Sequence, residues 1–410
     1  YNRSNMRSSL TKDSFAYEVC DPQGLCDRAT VTIYFEQRPS LKEACPFISD
    51  IEGDCITNFP LNPETERPDL TVNREQVFKL ALEIEDIDSN ELTLELKEFV
   101  TLSDLHKYQS LLAQKSWIYC ENEICTIDDF IFKNWQERLY FERLERKATE
   151  ISLLLEELNN DWEAVLFSLF AKNFGLNTNG LLFFNMAKSI PFSIIRKESF
   201  SIENLQALFF GQTNMLDFDF QDRYVNKLHQ DYKYLLHKYG ISKKVYGKVA
   251  FFKHRPDNFP TIRLAQLAAL YHVQQNLFSK IMNVNSIEEI YDLFNVEISS
   301  YWETHYNFDK VSVQKRKKMS RSFIDLILIN TIIPVRFTFE QSLHNETSDE
   351  IVDLMKSIPA EKNSSIDKFT SIGIHSKNAF DSQSLLQLKK EYCDVKRCLE
   401  CAVGLNLLKK

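Results

Sequence analysis

The sequence predicts a mainly α-helical protein: one or more compact multi-helix domains, preceded by a short β-hairpin fragment and an irregular linker. Three observations carry that expectation. From Ser103 onward apolar residues recur at three- and four-residue spacing, the period of a helix with one buried face. Only 9 Gly and 11 Pro occur in 410 residues, too few for a turn-rich, all-β architecture over most of the chain. The proportions of 44% hydrophobic and 26% charged residues are those of a folded globular chain, and the length has room for two or three ordinary domains.

The chain opens without Met or an apolar leader, as a fragment or processed form would. Residues 1–35 are β-like. Apolar and polar side chains alternate from Asp13 to Val19 and from Ala29 to Phe35, and Pro22 and Gly24 between them supply turn geometry. This is a hairpin with Cys20 and Cys26 at its shoulders, too small to bury a core alone. Residues 36–90, Pro-containing and acidic, read as irregular linker. Cys20–Cys26 and Cys45–Cys55 would suit disulfides in an exported segment, and free thiols otherwise. The net charge of −9 lies in this part: residues 1–100 hold 10 Lys/Arg against 20 Asp/Glu, leaving 39 against 38 in the remainder.

Residues 91–410 read as the helical domain, with a possible subdivision near 215. A long helix begins at Thr126, its stripe running through Phe130, Trp135, Leu139, Leu144, Ile151, Leu154 and Leu158. Its other face pairs Glu and Arg along the helix. Asp161 caps the next helix, Trp162 to Phe174, which Gly175 closes. Further helices are expected at 178–189, 202–211, 220–239, 258–281, 286–296, 318–333, 347–356 and 376–391. The most apolar stretch, Phe323 to Val335, is interrupted by Asp325, Asn330 and Pro334 and is too short to span a bilayer. No membrane association is expected, and the helical part reads as cytoplasmic.

The sharpest chemical signal is Cys393-x4-Cys398-x2-Cys401. Three thiols within nine residues can converge on one soft ion, so the expected cofactor is Zn2+ or an iron–sulfur cluster. Cys120 is the best candidate for the fourth ligand, then Cys125, then His375. Four thiolates leave no open coordination position, so such a metal would be structural. A second signal is charge. Residues 223–255 carry nine Lys/Arg against the single acid Asp231, with Tyr residues interleaved, and Lys315 to Lys318 adds another basic run. Lys233, Lys238, Lys243, Lys244, Lys248, Lys253 and Arg255 are candidate contacts to DNA or RNA, where cations neutralise phosphates and aromatics stack on bases. Arg263, one turn inside a helix that Pro260 starts, is a further candidate, or else locks the helix entry. Trp135, Trp162, Phe183 and Phe184 sit at core spacing. The sequence carries no Gly-rich phosphate loop, nucleophile elbow or paired catalytic carboxylates, so no catalytic residue is assigned.

The blocks WQERLYFERLERK (135–147), NDWEAVLF (160–167), RPDNFPTIRLAQLA (255–268), INTIIP (329–334) and SQSLLQLKKEYC (382–393) resemble the uncharacterised bacterial domain-of-unknown-function family 2851. LTLELKEF (92–99) picks up the same pattern, so the likeness covers about 320 residues. The resemblance implies an additional N-terminal half similar to restriction-endonuclease-like nucleases, whose acidic and His blocks do not occur in this chain. Residues 1–35 instead resemble the end of a cadherin-like or immunoglobulin-like bacterial surface repeat, which alone would imply the cell surface and a chimeric N-terminus. The expectation is therefore a non-catalytic helical region that binds nucleic acid and holds a Cys-bound metal. A structural or protein-interaction module without nucleic-acid binding is the alternative.

Overall fold

In the computed structural model, strands of residues 12–20, 26–34, 40–48, 71–73 and 78–85 are described as backbone. Residues 116–409 are described apart from Asp219, 243–246, Lys253, Asn285 and 345–347. The chain divides into two compact units, one of Tyr1–Tyr119 with Asn406–Lys410 and one of Cys120–Leu405.

In the first unit β1 (Lys12–Cys20) pairs antiparallel with β2 (Cys26–Tyr34), placing Cys20 opposite Cys26, as the alternating pattern predicts. Residues 36–90 are not irregular linker. They carry β3 (Ser40–Ile48), β4 (Thr71–Asn73) and β5 (Phe78–Glu85), with β3 antiparallel to β5 and β4 parallel to β1. The signal was present in Phe78, Leu80, Leu82 and Ile84, which alternate with Lys79, Ala81, Glu83 and Glu85. Pro46 obscured it in β3, where a two-stranded sheet tolerates a residue that cannot donate a ladder bond.

The second unit is helical, and the described residues of the chain hold 14 helices. Asp128 caps α1 (Asp129–Glu157) by accepting from the Phe130 and Ile131 amides. The buried stripe of α1 starts at Trp135, since Phe130 is exposed. Asp161 caps α2 (Trp162–Phe174) and Gly175 closes it, both as expected from sequence. Then come α3 (Leu176–Ser189), α4 (Phe192–Glu198), α5 (Ile202–Gln212) and α6 (Arg223–Tyr239). Gly240 ends α6 in the left-handed region, φ 62°, where a side chain would be strained. The helix expected at 258–281 is two, α7 (Pro260–Val273) and α8 (Leu277–Met282), because Asn276 at φ 55° breaks the helical path.

After α9 (Ile287–Leu293) and a short β6 (His305–Asn307) and β7 (Lys310–Val311) ribbon comes α10 (Arg321–Ser342). Its 22 residues pass through a π-helical turn at Leu328–Ile332. A wide turn before Pro334 accommodates a residue with no N–H to give. This helix is longer than sequence suggested, long and apolar enough to cross a bilayer. Its apolar window, however, is 72% buried inside the protein, as befits a core helix. The chain ends with α11 (Ser348–Ser357), α12 (Ser364–Ser371), α13 (Ala379–Leu388, extended by a π turn at Lys389–Cys393) and α14 (Ala402–Lys409).

One core joins the helices from α1 to α11 and the start of α13. The hub is α2, which packs against α1, α3, α4, α7, α8 and α10. Its Phe rings interlock edge to face, Phe167 with Tyr271 at 5.0 Å, Phe174 with Phe323 at 5.0 Å and Phe170 with Phe294 at 5.7 Å. A subdivision near 215 is not found: Met215 and Leu216 are buried in this same core. The segment there is a turn between α5 and α6, and turn residues without helical period look like a boundary from sequence.

A polar clamp fixes α4 to α6. Glu198 is fully buried and accepts from Lys238 at 2.7 Å, Asn204 at 2.6 Å and the Tyr239 hydroxyl. Burial alone would raise its pKa, but these hydrogen bonds overcome that and hold it below the usual carboxylate range. The stabilisation is therefore present above the unfolded-state pKa, roughly 4.3, and lost as pH falls through the lower folded value. Glu198→Gln is expected to cost about 1–3 kcal/mol at neutral pH and to flatten the acid limb of stability, read by denaturant unfolding between neutral and acidic pH. Where α5 crosses α6, a Cβ on Gly211 would overlap the Tyr232 ring. Gly211→Ala should destabilise by about 1–3 kcal/mol through overpacking, measured the same way; an unchanged midpoint would mean the α5–α6 contact is looser than described.

Candidate metal centre and basic face

The C-terminal cysteines are positioned by α13 and the turn after it. The π turn brings Tyr392 edge-on to Trp135 of α1, centroids 5.1 Å apart, with its hydroxyl donating to Glu142 at 2.7 Å. Arg397 covers the other side of the Tyr392 ring at 4.7 Å. Lys396, at φ 60°, turns the chain back, and the Arg397 amide returns to the Tyr392 carbonyl at 2.8 Å. A 3-10 turn at Cys398–Glu400 then leads to Cys401. Gly404 lies so close to the Cys398 carbonyl that a Cβ there would overlap it, which closes the loop tightly around the sulfurs.

Cys120 comes from the other end of the unit, in a turn where its carbonyl accepts from the Glu123 and Ile124 amides. Its thiol is close enough to those of Cys401 and Cys398 to feel their charge, and Cys393 feels Cys120, Cys401 and Cys398. Burial, then these neighbours, pushes Cys120 up to about 12, and burial followed by Cys401 takes Cys398 to about 11. Cys393 is driven higher still by burial and then by the other three. Cys401, the most enclosed, is raised by burial. The neighbouring Gly404 and Val403 amides and the Trp135 indole oppose that rise.

The Trp135 indole N–H is buried and has no hydrogen bond of normal geometry; the Cys401 sulfur is the group it approaches. The sequence marked Trp135 as packing alone. The available hint was that a core indole needs a buried acceptor. Among the described residues no three His, Cys, Asp or Glu side chains are placed to hold a metal ion, so the four expected ligands do not form a metal site here. Cys125 is committed elsewhere, its thiol donating to the Ile372 carbonyl at 2.8 Å beside Gly373. His375 is exposed.

The basic stretch divides. On α6, Val225, Leu228, Tyr232 and Leu235 face the core, which leaves Arg223, Lys227, Lys233, Tyr234 and Lys238 on the solvent side. Tyr234 is 64% exposed between them. Arg223, Lys227, Lys233, Lys248 and Arg255 are exposed and enter no ion pair among the described residues. Lys238 is bound to Glu198. Lys243, Lys244 and Lys253 lie outside the described residues. Separately, Asp217, Phe218, Phe220, Lys248, Phe251 and Phe308 help line an open groove of about 680 Å³.

Arg263 is not a surface contact. It is 4% exposed, donates to Asn258 at 2.5 Å and Gln266 at 2.8 Å, and lies 3.4 Å from the Phe323 ring centre. Burial lowers its pKa to about 10. It locks the entry of α7, the role that competed with phosphate binding when only the sequence was in view. The run 315–318 is also spent internally. Lys315 pairs with Asp257 at 2.8 Å, Arg316 and Lys318 approach Glu297, and buried Lys317 donates to the Glu303 carbonyl at 2.8 Å.

No curated protein and no solved structure matches the chain. The profile of a family described as protein of unknown function, DUF2851, matches residues 77–364. Most of the helical unit lies inside that match, together with β5 and Cys120, while Cys393, Cys398 and Cys401 lie beyond its end at residue 364. The chain belongs to the DUF2851 family.

Proposed function

We propose that the helical unit is a non-catalytic module that grips a nucleic-acid backbone through the solvent side of α6. The observation supporting this is the set of exposed cations without acidic partners, Arg223, Lys227 and Lys233, around an exposed Tyr234 ring. Unpaired cations at helical spacing gain by replacing the counterions of a phosphate chain, and an exposed ring offers a face for an unstacked base. An aromatic groove that Lys248 helps line offers similar chemistry elsewhere on the unit. The neutralised run 315–318 favours the other reading, an interaction module without nucleic acid, since it shows surface cations of this fold serving internal contacts.

The test is fluorescence anisotropy of the full chain with a single-stranded DNA or RNA oligonucleotide across a salt series. Reversal of Arg223, Lys227 and Lys233 to Glu should weaken binding more than tenfold and reduce the log–log salt slope by about 2–3. Tyr234→Ala should cost about 1–3 kcal/mol on single strands and little on duplex. Absence of binding by the wild-type chain at low salt would overturn the proposal and leave the interaction module.

A further inference from the structure

We propose that the small pocket lined by Glu163, Phe192, Arg196, Tyr271 and Phe278 binds the head group of an alkylammonium ion. The site uses none of the residues of the nucleic-acid reading. Glu163 comes from α2, Phe192 and Arg196 from α4, Tyr271 from the last turn of α7 and Phe278 from α8. The break at Asn276 that separates α7 from α8 forms part of the lining, and the cavity is about 30 Å³ and open toward solvent.

Tyr271 is 5% exposed, and its buried hydroxyl has no hydrogen-bond partner among the described residues. The ring is already held by Phe167 at 5.0 Å and Phe192 at 5.9 Å, contacts that a phenylalanine would make equally well. A buried hydroxyl left unpaired is costly, so the one polar atom added to this packing points to a ligand that bonds it. The charged group it feels is the Glu163 carboxylate. Burial, then that carboxylate, raise the Tyr271 pKa, so the phenol stays protonated and its oxygen accepts a hydrogen bond. Glu163 is also the inner member of its ion pair, its side chain 25% exposed against 57% for Arg196. A pair this open to water contributes little, so a second cation can share the carboxylate at small cost while Arg196 stays over the Phe192 ring at 5.5 Å. The aromatic walls favour a cation in the same way, and Phe278 is itself braced by Trp162 at 5.9 Å. An anion would be repelled by Glu163, and an uncharged group would leave that carboxylate unused. The volume suits an ammonium head, no larger than a water molecule, with its carbon stem leaving through the open mouth.

Such a head group is carried by a free amine or by a lysine side chain of a partner protein, and the experiment separates the two. The full chain is titrated calorimetrically, at constant ionic strength, with butylammonium chloride and with a short lysine-containing peptide blocked at both ends. Butanol and butyrate serve as uncharged and anionic controls. Saturable binding of butylammonium is expected in the roughly millimolar range that so few atoms allow, with none of either control. Tighter binding of the peptide assigns the site to a partner's lysine, and tighter binding of butylammonium to a free amine. Tyr271→Phe should weaken binding about tenfold while leaving the melting temperature unchanged or raised, because the hydroxyl it removes has no partner in the fold. Glu163→Gln should abolish binding, and Arg196→Met, which removes the competing cation, should tighten it. The proposal is overturned if neither amine saturates, if butanol binds as well as butylammonium, or if Tyr271→Phe and Glu163→Gln bind as the wild type does.

Discussion

The helical unit depends on the burial of two helices, α2 and α7. From Pro260 to Tyr271 every residue of α7 is buried, and α2 hides Val165, Leu166, Phe167, Ser168, Phe170, Ala171 and Phe174. A helix apolar on all sides cannot lie on the surface, so other helices must wrap it. That demand gives α2 its six packing partners and fixes where each chain segment emerges. Polar groups caught in the wrapping need internal partners: Thr261 donates to the Tyr306 carbonyl at 2.5 Å and Gln266 to the Lys317 carbonyl at 2.9 Å. The buried Lys317 and Arg263 follow from the same constraint: the Lys317 carbonyl accepts from Gln266 of α7, and Arg263 binds Asn258 at the helix entry.

The same constraint explains how much could be read in advance. Helix caps were legible because they act locally: Asp161 and Gly175 bound α2 at the residues the sequence named. Breaks that rest on one left-handed residue, such as Asn276 between α7 and α8, carry no composition signal, and two helices merged into one. Helices α4, α12 and α14 were missed, being only seven or eight residues long with too few turns to show a period. The strands β3 to β5 were hidden by proline and acidic residues that resemble a linker.

At the candidate sites, sequence could find residue types but not their commitments. The spacing of Cys393, Cys398 and Cys401 was visible, but not that the Cys125 thiol would bond the Ile372 carbonyl. What no spacing reveals is a three-dimensional donor such as the Trp135 indole. The basic stretch shows the converse. Charge counts gave all cations equal weight, while the fold exposed Arg223, Lys227 and Lys233, bound Lys238 to Glu198 and buried Arg263. A cation paired with a buried acid contributes to the fold, and only the remainder contributes a field at the surface.

The packing of α1 against α13 also bears on the order of events at the ribosome. About 220 residues separate the end of α1 from the start of α13. At about 5–20 residues per second, the apolar stripe of α1 is complete roughly 10–45 s before its last partner leaves the exit tunnel. Throughout that interval Trp135, Leu139, Tyr140 and Leu144 have no final cover. Vectorial synthesis thus makes the first helix of the unit the last to be sealed.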